Sequence, residues 1–200
     1  MTQPDSPGST GSADSAGSAG SAGSAGSPAT SSPVAAPPPG RYQMDPARTT
    51  IRADVRAMFG LFTVHGRFLL RSGEVQIAED PGQSSVQAAI DAASFESGLA
   101  ARDTDVVSEA LLDASAYPDI TFSGGGPRLD GEHWVLLGTV TAHGVTEPVE
   151  LRFTVEHAGD RLAQFRAVAQ LDRTRFGVTK KKGMVGRTVH LAIEATCVSA

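Results

Sequence analysis

The segment EHWVLLGTVTAHGVTEPVELRFTVEH, residues 132–157, holds two runs in which every second residue is apolar or small. Successive side chains of a β-strand point to opposite faces of a sheet, so this spacing predicts two strands that share one apolar face. The residues assigned to that face are Trp134, Leu136, Gly138 and Val140 on the first run, and Val149, Leu151, Phe153 and Val155 on the second.

A tight turn is predicted between the two runs. His143 and Gly144 can supply the positive φ angles that a two-residue hairpin turn requires. Pro148 has no N–H to donate to a strand ladder, which predicts a bulge or a sheet edge at that position. The apolar face of such a long hairpin needs further strands to cover it.

The rest of the chain supplies further segments with the same alternation, near residues 51–56, 63–70, 75–77, 86–90, 120–122, 165–171 and 189–195. Ser72-Gly73 predicts a turn between two of these strands, and the run Gly124–Gly126 predicts the end of another. One segment breaks the pattern. Apolar residues three to five positions apart predict a helix over about 102–112, and Tyr117-Pro118 is expected to close it.

Together these elements amount to roughly eight to ten strands and one main helix. Many one-sided antiparallel strands at close spacing predict an all-β fold, and closing them into a barrel removes exposed strand edges. We therefore expect an antiparallel β-barrel of about eight strands with one main α-helix.

Residues 1–40 differ in composition from the rest of the 200-residue chain, because they consist almost entirely of Ser, Gly, Ala, Pro and Thr. They contain no aromatic residue, Lys or Arg, and cannot bury enough apolar surface to offset their chain entropy. We expect a disordered tail over 1–40 and one folded domain over 41–200. The tail lacks the basic start and apolar core of a secretory signal, which predicts a cytoplasmic location.

The net charge of −5 argues against non-specific binding to nucleic acid. One segment, 173–187, is locally basic, with cations at Arg173, Arg175, Lys180, Lys181, Lys182 and Arg187. Two interpretations stay open for it: a solvated loop, or a contact with an anionic membrane surface.

Motifs for catalysis or metal binding are missing from the sequence. The five histidines show no metal-ligand spacing, so no metal site is expected, and no Gly-x-Ser-x-Gly motif precedes a helix, so a serine hydrolase is not expected. No cofactor is expected either. Polar groups do occur among apolar neighbours at Arg102-Asp103, Tyr117 and Asp172-Arg173. Such an Arg–Asp pair could hold a substrate carboxylate or phosphate, or it could form an ion pair or a helix cap.

The interior of the expected barrel is unusually rich in apolar side chains, and several inward positions are small, namely Ala88, Gly138, Ala167 and Ala169. An eight-stranded barrel can fill its interior with side chains or hold one small apolar ligand. The residues alone leave a filled core and a ligand cavity equally open.

Four motifs, in order, resemble those of the YceI-like polyisoprenoid-binding proteins. Tyr117 to Phe122 resembles the Tyr-Pro-x-Ile-x-Phe signature of that family, and Gly138 to Val149 resembles its Gly-x-Leu-Thr-x-x-Gly-Val-Thr-x-Pro-Val hairpin. Ser94 to Asp103 and Asp172 to Gly177 are similar to its other two motifs. Two departures stand out: Thr104-Asp105-Val106 replaces the usual His-Leu, and Asp172 replaces an Asn.

This resemblance covers about Arg41 to Cys197 and implies an extended, lipocalin-like barrel. It also implies non-catalytic binding, storage or transport of a long polyisoprenoid or similar lipid, such as a quinone tail. Two alternatives are a small enzyme acting on a lipid-like substrate and a dry-cored adaptor. A homodimer is a further expectation. The candidate cavity-lining residues are Phe68, Val75, Ile77, Val86, Ile90, Ile120, Phe122, Trp134, Leu136, Val140, Leu151, Phe153, Val155, Phe165, Leu171, Phe176, Leu191 and Ile193.

Overall fold

A computed structural model describes residues 36–180 and 184–200 of the chain. Within these residues the dominant element is the β-strand, and the one α-helix described, α1, spans Ala100–Val107. The strands are β1 (Gly40–Met44), β2 (Thr50–Ala57), β3 (Phe62–Ile77), β4 (Ser85–Glu96), β5 (Asp119–Asp130), β6 (His133–Ala142), β7 (Val145–Ala158), β8 (Leu162–Asp172) and β9 (Val185–Ser199). Short 3₁₀ turns occur at Pro46–Arg48, Pro81–Gln83 and Arg173–Phe176.

The strands form one closed antiparallel sheet. From β2 the order is β2, β9, β8, β7, β6, β5, β4 and β3, and β3 then pairs with β2 again. Strand β1 pairs with β3 and β9, the same two neighbours that flank β2, so β1 and β2 share one position in the barrel. The 3₁₀ turn Pro46–Arg48 separates the two halves of that position. The barrel therefore has eight strand positions, which confirms the predicted fold class.

The β6–β7 hairpin forms as its sequence predicts. Its register runs without interruption from Trp134 opposite Phe153 to Ala142 opposite Val145. His143 and Gly144 make the turn with φ angles of 51° and 72°. Pro148 lies where β7 pairs with β6 but not yet with β8, since the β7–β8 pairing begins at Leu151. A missing N–H is tolerated at such an edge.

Two glycine signals were interpreted wrongly from the sequence. Ser72-Gly73 is not a turn, because β3 passes straight through it; a Cβ on Gly73 would lie 2.4 Å from the sulfur of Met44, so the glycine makes room for that side chain. The run Gly124–Gly126 does not end β5 either. It sits at a register shift between β5 and β6, with φ 63° at Gly126, which is a bulge within the strand.

The helix differs from the prediction at both ends, since α1 begins at Ala100 and stops at Val107. The hydroxyl of Ser108 donates to the carbonyl oxygen of Asp105, and its oxygen accepts from the N–H of Ala110. Serine competes in this way with backbone hydrogen bonds and ends helices early. Non-helical turns follow as far as Tyr117, so Tyr117-Pro118 does not close the helix as predicted. The ring of Tyr117 packs against His143 with a centroid distance of 5.2 Å.

Two apolar clusters fill different parts of the barrel interior. One surrounds Leu111 and Phe176 and includes side chains from β6, β7 and β8. The other surrounds Tyr42 and Cys197 and joins β1, the end of β3, the start of β8 and the end of β9. The hydroxyl of Tyr42 donates to the carbonyl oxygen of Pro38 at 2.9 Å, which holds residues 36–39 against the barrel. The rest of the predicted tail, 1–35, lies outside the described residues. No helix in the described part of the chain is long and apolar enough to cross a bilayer.

The thiol of Cys197 should be unreactive in the folded protein. Its side chain is completely buried, and burial raises the pKa of its thiol to about 12. Because the thiolate is the reactive species, we expect the native protein to resist labelling by Ellman's reagent at pH 8 and to react fully in denaturant. Rapid labelling without denaturant would contradict the buried position of Cys197 in β9.

Candidate functional site

An apolar cavity of about 1040 Å³ lies inside the barrel. Every barrel strand contributes to its wall through inward-facing side chains, and α1 and the turns after it contribute Val106 and Leu111. Cavities that bind small molecules commonly measure about 300–1,000 Å³ and are mostly apolar with a few polar groups. The size and lining of this cavity therefore suit a long apolar ligand.

The structure brings together all of the predicted cavity-lining residues. Each one lies on the wall of this single cavity: Phe68, Val75, Ile77, Val86, Ile90, Ile120, Phe122, Trp134, Leu136, Val140, Leu151, Phe153, Val155, Phe165, Leu171, Phe176, Leu191 and Ile193. Their contact with a ligand stays a prediction.

Other wall residues were missed from the sequence. Val55 and Val64 share the parity of their inward neighbours and could have been included on that signal. Phe95 lies beyond the part of β4 that showed clear alternation. Residues 36–39 also line the cavity, although the composition placed them in the tail. Neither Phe95 nor 36–39 has a local sequence pattern that assigns it to the wall.

Three aromatic rings form one section of the wall. Trp134 and Phe153 are nearly parallel, with 6.2 Å between ring centroids and 17° between planes. Phe165 meets Phe153 edge-on at 6.1 Å and 72°. These are the offset and edge-to-face arrangements that aromatic pairs prefer, so the rings hold one another in place and present a stable apolar surface to the cavity.

Small residues shape the remaining space. A Cβ on Gly66 would lie 2.2 Å from the ring of Phe95, and one on Gly138 would lie 2.7 Å from the ring of Phe122 and 2.6 Å from the carbonyl oxygen of Ser123. The glycines thus allow these rings to lie close to the barrel wall. Ala88 and Ala167 also face the cavity, where larger side chains would occupy it.

The polar side chains at α1 are arranged around Ser97. The Nε of Arg102 donates to the hydroxyl oxygen of Ser97 at 2.7 Å. Asp103 accepts hydrogen bonds from the backbone N–H of Ser97, at 2.9 Å, and from its hydroxyl. Arg102 lines the cavity beside this cluster. The Arg102-Asp103 pair therefore links α1 to the end of β4 through Ser97.

Arg173 is buried and donates hydrogen bonds to four backbone carbonyl oxygens. Its Nε reaches Gly186 at 2.8 Å, its Nη1 reaches Val178 at 2.6 Å and Lys180 at 3.0 Å, and its Nη2 reaches Val185 at 2.9 Å. Burial lowers the pKa of the guanidinium, and the adjacent Asp172 carboxylate opposes that effect. Arg173 therefore fixes the β8–β9 connection, and its N–H donors point at backbone carbonyl oxygens of the chain itself.

The basic segment 173–187 is less cationic at its surface than its sequence suggests. Arg173 is buried, Arg175 pairs with Glu147 at 2.5 Å, and Arg187 pairs with Asp172 at 2.7 Å. Lys180 is exposed, whereas Lys181 and Lys182 lie outside the described residues. Arg173 thus does not belong to a solvated loop, because its guanidinium replaces water with carbonyl partners.

Asp172 caps the 3₁₀ turn Arg173–Phe176. It accepts hydrogen bonds from the N–H and the hydroxyl of Thr174, at 2.9 and 2.6 Å, as well as from Arg187. The hydrogen bonds from Thr174 and Arg187 lower the pKa of Asp172 from 3.8 to about 2. The residue thus makes the ion pair and the cap that its sequence context allowed.

The lowered pKa of Asp172 predicts a loss of stability in acid. A carboxylate with a depressed folded-state pKa stabilises the fold above its unfolded pKa, and this contribution disappears as the pH falls from about 4 to about 2. Asp172→Asn should flatten the pH dependence of unfolding in that window. Asp160→Asn, on an exposed turn, is the matched control, and equal pH profiles for both variants would contradict the prediction.

Metal ligands are not clustered in the described part of the chain, where no group of three or more His, Cys, Asp or Glu side chains could hold a metal ion. The lining residues of the cavity offer dispersion and apolar burial along its wall, with polar side chains at α1.

The matching family model and the similar sequences point to the same family. The family model of the YceI-like domain matches residues 42–197. A UPF0312 protein of Enterobacter sp. (strain 638) is 28% identical over 140 residues, which cover 67% of this chain and 73% of the relative. Protein YceI of Salmonella arizonae is 27% identical over 120 residues, which cover 58% of this chain and 63% of that protein, less than two thirds of its length.

Solved structures share the fold. BcnA of Burkholderia cenocepacia superposes with a TM-score of 0.68 at 25% identity, over 76% of this chain and 98% of BcnA. A polyisoprenoid-binding domain from Saccharophagus degradans gives a TM-score of 0.63 at 14% identity, over 80% of this chain and 98% of that domain. At that identity the second likeness concerns the fold alone.

Proposed function

Because this chain belongs to the YceI-like family, we propose that it binds and carries a long-chain polyisoprenoid, or a similar lipid such as a quinone tail, inside its barrel. The observation that carries the proposal is the continuous apolar cavity of about 1040 Å³. The likeness to a polyisoprenoid-binding domain of the same fold supports the choice of ligand class.

Apolar burial alone would make such binding strong. Each methylene moved from water into an apolar site contributes about 0.8 kcal/mol, so a chain of several isoprene units needs no hydrogen bond to be held. The aromatic wall of Trp134, Phe153 and Phe165 offers flat surfaces against which a branched, unsaturated chain can pack. A site of this kind selects ligands by length and bulk more than by functional group.

A non-catalytic role fits the polar side chains at the cavity. Arg173 directs its donors at backbone carbonyl oxygens, and Arg102 and Asp103 are engaged with Ser97. An enzyme would need an acid, base or nucleophile aimed at the substrate, and these contacts give such a role no support. A dry-cored adaptor fits less well. Packed protein interiors contain few voids larger than a water molecule, whereas this barrel holds a cavity of about 1040 Å³.

Mass spectrometry of an organic extract from the purified protein tests the proposal. We expect a polyprenyl or quinone-type lipid in stoichiometric amount from the wild type. An extract without lipid, combined with failure of the delipidated protein to take up an added polyprenol, would contradict the proposal.

Further partners remain part of this proposal. The basic segment 173–187 is proposed to meet anionic head groups, with Lys180 exposed and with Arg175 and Arg187 paired with acids. A homodimer and a cytoplasmic location are also proposed, to be checked by sedimentation velocity and by cell fractionation.

A further inference from the structure

The β2–β3 turn exposes large apolar side chains at one end of the barrel. Phe59 is 85% exposed and Leu61 is 76% exposed, and Met58 and Phe62 beside them are also exposed. Isolated apolar residues are common on protein surfaces, but four in five consecutive positions form a patch of the kind that marks an interaction site.

The backbone of this turn holds the side chains outward. Met58, Phe59 and Gly60 have φ angles of 50°, 58° and 88°, in the left-handed region that bulky residues rarely adopt. Hydrogen bonds from Gly60 to the Ala57 carbonyl and from Leu61 to the Met58 carbonyl close the turn. Strained conformations of this type persist at functional sites, where the surrounding structure enforces them.

The turn is also a rim of the cavity. Met58, Leu99 and Met184 line the cavity and are exposed at the surface. The N–H of Met58 donates to the carbonyl oxygen of Met184 at 2.7 Å, which ties the turn to the β8–β9 connection. We define the apolar rim as Met58, Phe59, Leu61, Phe62, Leu99 and Met184.

The opposite end of the cavity has a different character. Its wall there includes the exposed residues Glu79 and Ser85 and the segment 36–39. A ligand leaving past Glu79 would meet a carboxylate and water, whereas one leaving past the apolar rim would meet mainly apolar side chains, with Arg102 and Asp105 of α1 as the charged wall residues after Leu99. The two ends are therefore not equivalent for an apolar ligand.

Charge around the apolar rim favours an anionic partner. The stretches 55–73 and 173–193 contain no Asp or Glu, although the whole chain has a net charge of −5. Exposed cations in them include Arg56 and Lys180. Three carboxylates lie near Leu99: Glu96 pairs with Arg67 at 3.1 Å, Asp103 accepts from Ser97, and Asp105 lines the cavity as Arg102 does.

We propose that the apolar rim inserts into the surface of an anionic lipid bilayer, so that this end of the cavity opens directly onto the membrane. Apolar and aromatic side chains beside cations are the combination that binds membrane interfaces. This docking goes beyond cargo binding, since it requires the rim and not a ligand in the cavity. An apolar cargo could then pass between bilayer and barrel without entering water.

Vesicle flotation of the full chain tests the proposal. The vesicles are phosphatidylcholine with or without phosphatidylglycerol, and the variant is Phe59→Ser with Leu61→Ser. We expect partition onto anionic vesicles to fall on the order of 10-fold or more, because two large apolar groups no longer leave water. The matched control is Leu137→Ser with Val168→Ser, which removes two exposed apolar residues from β6 and β8 away from the rim and should bind like wild type.

A second measurement reports insertion directly. In Phe59→Cys, a fluorescent NBD label attaches at residue 59, because the native Cys197 is buried. Vesicles should shift its emission to the blue, and spin-labelled lipids should quench it, whereas the label in Leu137→Cys should respond to neither.

Three results would overturn the proposal. The first is equal partition of the rim variant and the wild type. The second is loss of binding only when Lys180, Lys181 and Lys182 are changed to Gln, which would assign the contact to the basic segment. The third is a wild-type dimer that ignores vesicles and dissociates on Phe59→Ser with Leu61→Ser, which would make the rim an interface between two copies.

Discussion

Replacing Ala167 with tryptophan is expected to weaken binding of a polyprenol by roughly 100-fold while the barrel stays folded. Ala167 is buried on β8, lines the cavity, and pairs with Phe153 on one side and Ile193 on the other. An indole ring there would enter the space beside the aromatic wall. Displacing one isoprene unit of about five carbons forfeits about 3–4 kcal/mol, which corresponds to a loss of at least 100-fold in affinity.

The adjacent residue provides a matched control. Val168 lies on the outer face of β8, about half exposed and away from the cavity wall. Val168→Trp adds the same ring to the same strand without entering the cavity, so affinity should not change. Equilibrium dialysis with a labelled polyprenol measures binding, and chemical denaturation measures stability.

The same pair of variants separates a cavity from a packed core. If the interior were already filled, Ala167→Trp would overpack it and cost about 1–3 kcal/mol of stability. An open cavity predicts a loss of less than about 1 kcal/mol, because the ring enters empty space. Unchanged affinity in a stable Ala167→Trp protein would mean that the ligand binds elsewhere.

Strand periodicity explains why the cavity wall could be predicted from the sequence. Once Phe153 is assigned to the inner face, Leu151 and Val155 must follow it, because side chains alternate strictly along a strand. Closure then places the inner faces of all strands around one axis. What alternation could not tell was whether the interior is filled, since that depends on the summed volumes of side chains from different strands.

The glycine signals failed for a related reason. Gly73 resembles a turn residue in sequence, yet it is required inside β3 because the side chain of Met44 approaches it from β1. The bulge at Gly125 depends on the register against β6. In both cases the cause lies on a partner strand, so the local sequence does not contain it.

The position of residues 36–39 against the barrel could not be predicted from their sequence either. Their composition is that of the tail, and no periodicity distinguishes them from it. They lie against the barrel because Tyr42 holds the carbonyl oxygen of Pro38, and they reach the cavity wall. The apolar rim was missed as well, because exposure is a property of the fold and not of the residues Met58 to Phe62.

Arg173→Ala is expected to lower the free energy of unfolding by about 3–5 kcal/mol. Arg173 is only 8% exposed, and its guanidinium donates to the carbonyl oxygens of Val178, Lys180, Val185 and Gly186. Removing it takes the donor from carbonyl groups on both sides of the β8–β9 connection. Partners left without a hydrogen bond in a buried setting cost about 1–3 kcal/mol each, and those that water can reach cost less.

Two further variants make the Arg173 result specific. Arg175→Ala removes an arginine of the same segment that is itself exposed but pairs with the half-buried Glu147 of β7, so its loss of stability should be smaller than the loss for Arg173→Ala. Arg173→Lys keeps the charge, but one ammonium cannot replace a planar fork that reaches several carbonyl oxygens, so an intermediate loss is expected. Guanidinium denaturation curves compare the three proteins.

The Arg173 series also decides between a structural and a ligand-binding role for this residue. If Arg173 fixes the β8–β9 connection, Arg173→Ala should lose stability and increase amide exchange around Val185 and Gly186, with or without a ligand. If it held an anionic substrate group, as its sequence context allowed, the variant would keep its stability and lose affinity for a phosphorylated ligand alone. A stability loss no larger than that of Arg175→Ala would contradict the structural role.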